Sequence, residues 1–191
     1  MSFDFETKII GKLINKKVVV QNPKMQNVLV ERGFGELEKD YLLLDSFETL
    51  YLLHTKKLEL KKVNKKIIFD ELIQKYIQSD AEILTKFLLY RELRTRGYVV
   101  KDGFGFGTDF RVYEKGNYGK KDAKFLIFAF NEGTQKKVGK LYKNIVDIKK
   151  MGKEPIIAVI ERRGEIIYYR INKMNFSENV PEFEMKDFDF N

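Results

Sequence analysis

Residues 97–127, GYVVKDGFGFGTDFRVYEKGNYGKKDAKFLI, decide how this chain folds and where chemistry can sit. Three runs, near 97–101, 109–114 and 124–130, read as strands from their β-branched and aromatic content. Gly103, Gly105 and Gly107 separate the first two strands, and a lysine-rich loop separates the second from the third. The glycines precede a strand rather than open a helix, so they read as an inter-strand loop and not as a dinucleotide-binding fingerprint. Alternation along DFRVY places Phe110 and Val112 on one face of a sheet and Arg111 and Tyr113 on the other. A tyrosine beside an arginine on the wet face suits proton transfer next to a phosphate. The same tyrosine read alone is an ordinary sheet-surface residue.

Working outward, a helix from about Asp80 to Arg96 leads into this block. Leu84, Phe87, Leu88 and Leu93 form its apolar stripe, RELRTR its basic far side, and Gly97 ends it at the C′ position. Downstream, Val138, Leu141, Ile145 and Ile148 repeat with helical period over residues 135–151, before strands near 155–161 and 165–171. Asp122 lies at the mouth of the third strand. Lys153 falls between Gly152 and the strand PIIAVI, where a lysine either reaches across the sheet end toward Tyr113 or offsets the preceding helix dipole. Upstream, residues 7–20 give two short strands, and Gly33 and Gly35 mark a turn. Asp45 and Ser46 can cap a helix that places Phe47, Leu50, Tyr51 and His54 on one face. LELKKV reads as a strand, and Leu72, Ile73, Tyr76 and Ile77 as the packed side of a helix from Asp70 to Ser79. The expected fold class is α/β (α+β). It comprises a small N-terminal mixed α/β domain over residues 1–80 and a C-terminal domain over 81–172, with a central mixed sheet flanked by helices. The tail, residues 173–191, is acidic and phenylalanine-rich and is expected to dock on a sheet edge or a partner subunit.

A net charge of +8 favours polyanions, although a lysine-rich surface can also bind nothing specific. Sixteen phenylalanines and ten tyrosines are too many to serve mainly as base-stacking platforms, so most belong to the core. The absence of cysteine excludes disulfides and thiolate metal sites. No metal-ligand spacing and no membrane-length apolar run occurs, and MSFDFETKII is unlike a signal peptide. These features give the expectation of a cytoplasmic protein without metal or cofactor. His54, the only histidine, has no carboxylates at ligand spacing and reads as structural.

The blocks together resemble the archaeal tRNA-splicing endonucleases. FGELEKDYLLLDSFETLYLLHTKKLEL is similar to that family's N-terminal segment, LLYRELRTRGYVVKDGFGFGTDFRVYEKG to its most diagnostic block, and KEPIIAVIERRGEIIYYRI to its closing hairpin. The resemblance implies an endonuclease-like C-terminal domain and metal-independent excision of pre-tRNA introns at bulge–helix–bulge motifs, leaving 2′,3′-cyclic phosphate and 5′-hydroxyl ends. It further implies a tyrosine as general base, a histidine as general acid and a lysine stabilising the phosphorane. Arg94, Arg96, Arg111, Lys120 and Lys121 are the expected RNA contacts. Tyr113 and Lys153 match the family's tyrosine and lysine, but Asp122 stands in the histidine's place. An aspartate ordinarily titrates at about 3.9, so it is a poor proton donor near neutral pH. Val146 stands where cleaving members carry an arginine, and Arg162 and Arg163 occupy a loop that is acidic in the family. The expectation is therefore a structural subunit that pairs with a histidine-bearing paralogue, as a heterotetramer acting on pre-tRNA. The alternatives are a cleaving subunit with an atypical acid and a stand-alone basic RNA-binding module.

Overall fold

The computed structural model describes residues 8–62, 65–103, 105–133, 135 and 138–171; the acidic tail and the docking expected of it lie outside them. Among the described residues two mixed sheets follow one another along the chain. The first contains β1 (Ile9–Ile14), β2 (Lys17–Val20), β3 (Glu36–Leu37), β4 (Leu42–Leu44), β5 (Leu58–Lys62) and β6 (Lys65–Ile67), in the order β3-β4-β2-β1-β5-β6. Helices α1 (Pro23–Glu31), α2 (Ser46–His54) and α3 (Phe69–Ile77) are interleaved with it. The second sheet is β11 (Ile166–Arg170), β10 (Glu154–Ile160), β9 (Phe125–Asn131), β8 (Phe110–Tyr113) and β7 (Val99–Asp102), in that order. Helix α4 (Ile83–Thr95) leads into this sheet, and α5 (Val138–Lys150) connects β9 to β10, its only parallel pair.

This is the mixed α/β architecture the sequence suggests, with one helix added. Helix α1 falls in a stretch whose Val28 and Val30 carry no helical bias, but its start is well specified. The Asn22 side chain accepts hydrogen bonds from the backbone N–H of Lys24 and Met25 at 3.0 and 3.3 Å, and Pro23 occupies the first turn.

A continuous buried cluster joins the two sheets. Phe47 of α2 lies 5.0 Å from both Tyr90 of α4 and Phe110 of β8, centroid to centroid. Helix α4 therefore has neighbours on two sides, α2 and the second sheet, and its buried surface is wider than the expected stripe. Leu89 and Tyr90 are buried in it, whereas Leu84 faces solvent at 43 % exposure. On the opposite face of the second sheet, Ile145 and Ile148 of α5 pack on Leu126 and Phe128 in a smaller cluster. The sheet thus has two covered faces, and Phe110 and Val112 point into the main core as alternation requires.

Candidate active site

Helix ends and strand ends bring the candidate residues together. Tyr113 is the last residue of β8, held opposite Val99 of β7. Lys153 is fixed by the end of α5: Gly152 takes φ +71°, and the Lys153 N–H returns to the Ile148 carbonyl at 3.3 Å. Directly afterwards the Glu154 N–H donates to the Lys124 carbonyl at 2.9 Å, which starts the parallel pairing of β10 with β9. Parallel register therefore sets Lys153 beside the entry to β9, where Ala123 and Asp122 sit. The Lys153 ammonium donates to the Ala123 carbonyl at 2.8 Å.

Arg111, Tyr113, Asp122, Ala123, Leu126, Met151 and Lys153 line one cavity of about 220 Å³ on the α5 side of the sheet. Its charged groups are the Arg111 guanidinium, the Lys153 ammonium and the Asp122 carboxylate, a surplus of one positive charge. Such a hollow suits an anion next to a phenol. Asp122 is exposed at the rim, while Tyr113, Arg111 and Lys153 are half-buried. The adjoining loop is stiffened by Glu114, which accepts from Lys124 at 2.7 Å and from Asn117 at 3.2 Å. The Lys124 contact holds the Glu114 carboxyl below its usual range.

The other candidates fall elsewhere. Lys120 and Lys121 are exposed in the loop before Asp122. Arg96 sits on the opposite face of the sheet, 5.6 Å over the Tyr168 ring and ion-paired with Glu92. Arg94 is a correction: expected on a basic outer face, it is 1 % exposed. Its guanidinium lies 3.8 Å over the Phe34 ring, and Nη2 donates to the Arg32 carbonyl at 3.0 Å. That buried guanidinium joins α4 to the end of α1. His54 is not at the cavity; its ring centroid lies 5.7 and 5.8 Å from those of Phe69 and Phe87.

One neighbour of the cavity has no signature in the sequence. The Tyr118 ring meets Tyr113 edge-on, with centroids 5.0 Å apart and planes at 90°. Burial, followed by the neighbouring Tyr113 phenol, pushes the Tyr118 hydroxyl above its ordinary pKa, so it keeps its proton. Nothing in the spacing of a loop aromatic announces such a contact.

Known proteins match both halves of the chain. The family described as tRNA intron endonuclease, N-terminal domain, matches residues 9–73, and tRNA intron endonuclease, catalytic C-terminal domain, matches residues 83–168. A tRNA-splicing endonuclease of Methanococcus maripaludis is 30 % identical over 164 residues, 85 % of this chain and 93 % of that protein. Those of Thermococcus onnurineus and Pyrococcus furiosus are 28 and 27 % identical over 166 and 172 residues, covering 86 and 90 % of this chain and 96 and 99 % of theirs. With both domain families matched in order and full-length relatives at this similarity, the chain belongs to the tRNA intron endonuclease family.

Proposed function

We propose that this chain is the structural subunit of a tRNA-splicing endonuclease, assembled as a heterotetramer with a histidine-bearing paralogue and helping to hold pre-tRNA. The observation that carries the reading is the cavity's composition. It joins a phenol to two cations, yet an exposed carboxylate takes the place of the acid, and the chain's one histidine lies among Phe69 and Phe87.

Cleavage by this route needs three events. A base removes the proton of the ribose 2′-hydroxyl, the 2′-oxygen attacks the adjacent phosphorus, and the P–O5′ bond breaks to leave a 2′,3′-cyclic phosphate. The departing 5′-oxygen must receive a proton. Tyr113 would serve as the base, with Lys153 and Arg111 balancing charge on the phosphorane. An aspartate is in general a poor proton donor near neutral pH, and a carboxylate in that place opposes the charge on the departing oxygen. The chain alone therefore stalls at the last event.

A second reading keeps this chain as the cleaving subunit with Asp122 as an atypical acid. It is favoured by the assembly of Tyr113, Asp122 and Lys153 around one cavity. Labelled bulge–helix–bulge RNA, incubated in EDTA with this chain alone and with the paralogue, separates the two. Cleavage confined to the mixture and indifferent to Tyr113→Phe in this chain is the expected result. Cutting by this chain alone, or loss of activity in the mixture on Tyr113→Phe, would overturn it in favour of the second reading.

A further inference from the structure

The turn after α1 lies in the first sheet's half of the molecule, yet it reaches β7 of the second sheet and the Tyr118 ring. Gly33 follows the last turn of α1 with φ +72°, and the Phe34 N–H closes back to the Leu29 carbonyl at 2.8 Å. Elements from both halves grip this turn. Arg94 of α4 stacks on Phe34 and donates to the Arg32 carbonyl, Lys101 of β7 donates to the Gly35 carbonyl, and Glu48 of α2 accepts from the Gly35 N–H at 2.9 Å.

Gly33 itself is a point of close approach. A Cβ there would lie 2.3 Å from Val99 Cγ1 and 3.3 Å from two ring atoms of Tyr118. Both of these residues touch Tyr113: Val99 is its partner across the strands, and Tyr118 meets its ring edge-on. The bare α-carbon of Gly33 is thus a floor on which both neighbours of the cavity's phenol rest.

We propose that Tyr118 is a positioning residue for Tyr113, seated on the Gly33 turn, so that the N-terminal half fixes the orientation of the phenol in the C-terminal cavity. The inference rests on reading Tyr113 as the phenol of this cavity, whether or not this chain is the one that cuts, and it extends that reading to a contact between halves. A tyrosine at a strand end, open to solvent on one side, would otherwise exchange between rotamers. The edge-to-face pair and the strand partner leave it one orientation.

The test uses the full chain carrying ¹³C at the tyrosine ring carbons, with the Tyr113 signals assigned by their loss in Tyr113→Phe. Wild-type spectra should show cross-peaks between the Tyr113 and Tyr118 rings. Tyr118→Leu should move the Tyr113 signals and speed its ring flipping by about two- to tenfold, the range an aromatic pair supports. Tyr118→Phe, which keeps the ring, should restore both. Gly33→Ala should give the signature of Tyr118→Leu if it folds, and the wild-type cross-peaks decide the matter if it does not. Absent cross-peaks, Tyr113 signals indifferent to Tyr118→Leu, or equal changes in the Leu and Phe variants would overturn the proposal. None of these readouts requires RNA. A failure of the proposed function would appear instead in the cleavage assay.

Discussion

At the scale of single residues the proposed function turns on Asp122. If a missing acid is the defect, Asp122→His should supply it, and the chain alone should then cut bulge–helix–bulge RNA in EDTA. General acid catalysis contributes roughly 10²–10⁴-fold, so a gain of that order in the single-turnover rate is expected. Adding Tyr113→Phe or Lys153→Met should remove the gain. No gain would place the defect elsewhere, with Val146 the first suspect. The chain's own histidine makes a different prediction. Although His54 is exposed, partial desolvation first, and Arg91 second, lower its pKa below the ordinary 6.5. The unfolded chain then binds a proton that the folded chain refuses, so between 6.5 and the lower folded value stability falls as pH falls. His54→Phe, beside Phe69 and Phe87, should therefore slightly flatten the decline in melting temperature as pH falls below 6.5. Parallel profiles for mutant and wild type would show that His54 carries none of it. How legible the site is in the sequence follows the same residues. Tyr113, Asp122 and Lys153 can be picked out by motif. Arg94 cannot be placed, because RELRTR has the composition of a solvated face, and only the ring of Phe34, far earlier in the chain, draws the guanidinium inside.

Elements are fixed chiefly by their ends. Helix α2 begins with a capping box, the Glu48 carboxylate reaching back to the Asp45 N–H at 3.0 Å while its other oxygen accepts from Gly35. Glu48 is fully buried, with the Lys101 ammonium 3.7 Å away. Glu48→Ala would strand a buried lysine and two backbone donors, and should cost about 3–5 kcal/mol in denaturant unfolding. Glu48→Gln keeps the acceptor for one donor and should cost clearly less. An equal loss in the two variants would mean that the charge, not the hydrogen bonds, is what the turn requires. At its other end α2 closes with Lys56 at φ +59°, and the Lys57 N–H returns to the Leu52 carbonyl at 2.8 Å. Glycine adopts that backbone without strain, so Lys56→Gly should raise stability by about 0.5–1 kcal/mol. A neutral or negative change would show that the lysine side chain contributes more than the strain removes. Strands and long helices are readable from period alone. Helix α1 is not, since its signal lies in Asn22 and Pro23 rather than in an apolar repeat. The two-residue β3 and three-residue β6 exist because neighbouring strands offer them partners, information no short window of sequence contains.

On the scale of the whole molecule, the mixed α/β class and the order of sheets follow from the succession of periodic segments, but the core joining the halves does not. Phe47, Tyr90 and Phe110 come from α2, α4 and β8, and their meeting is a fact of packing. The second sheet ends in β11, which among the described residues pairs with β10 alone and leaves a row of backbone donors and acceptors open. Ile167 and Tyr169 stand opposite Val159 and Ile157 on the α5 side, 40 and 52 % exposed. An open edge flanked by apolar side chains is a template for another chain, which the proposed assembly with a paralogue would need. Replacing Ile167 and Tyr169 together by lysine should leave the fold intact, since neither side chain is in the core, while sedimentation velocity shows the complex with the paralogue lost. Cleavage by the mixture should fall with it. An unaltered complex would move the interface away from β11. Lost cleavage with the complex preserved would mean that this edge acts on RNA rather than on a partner.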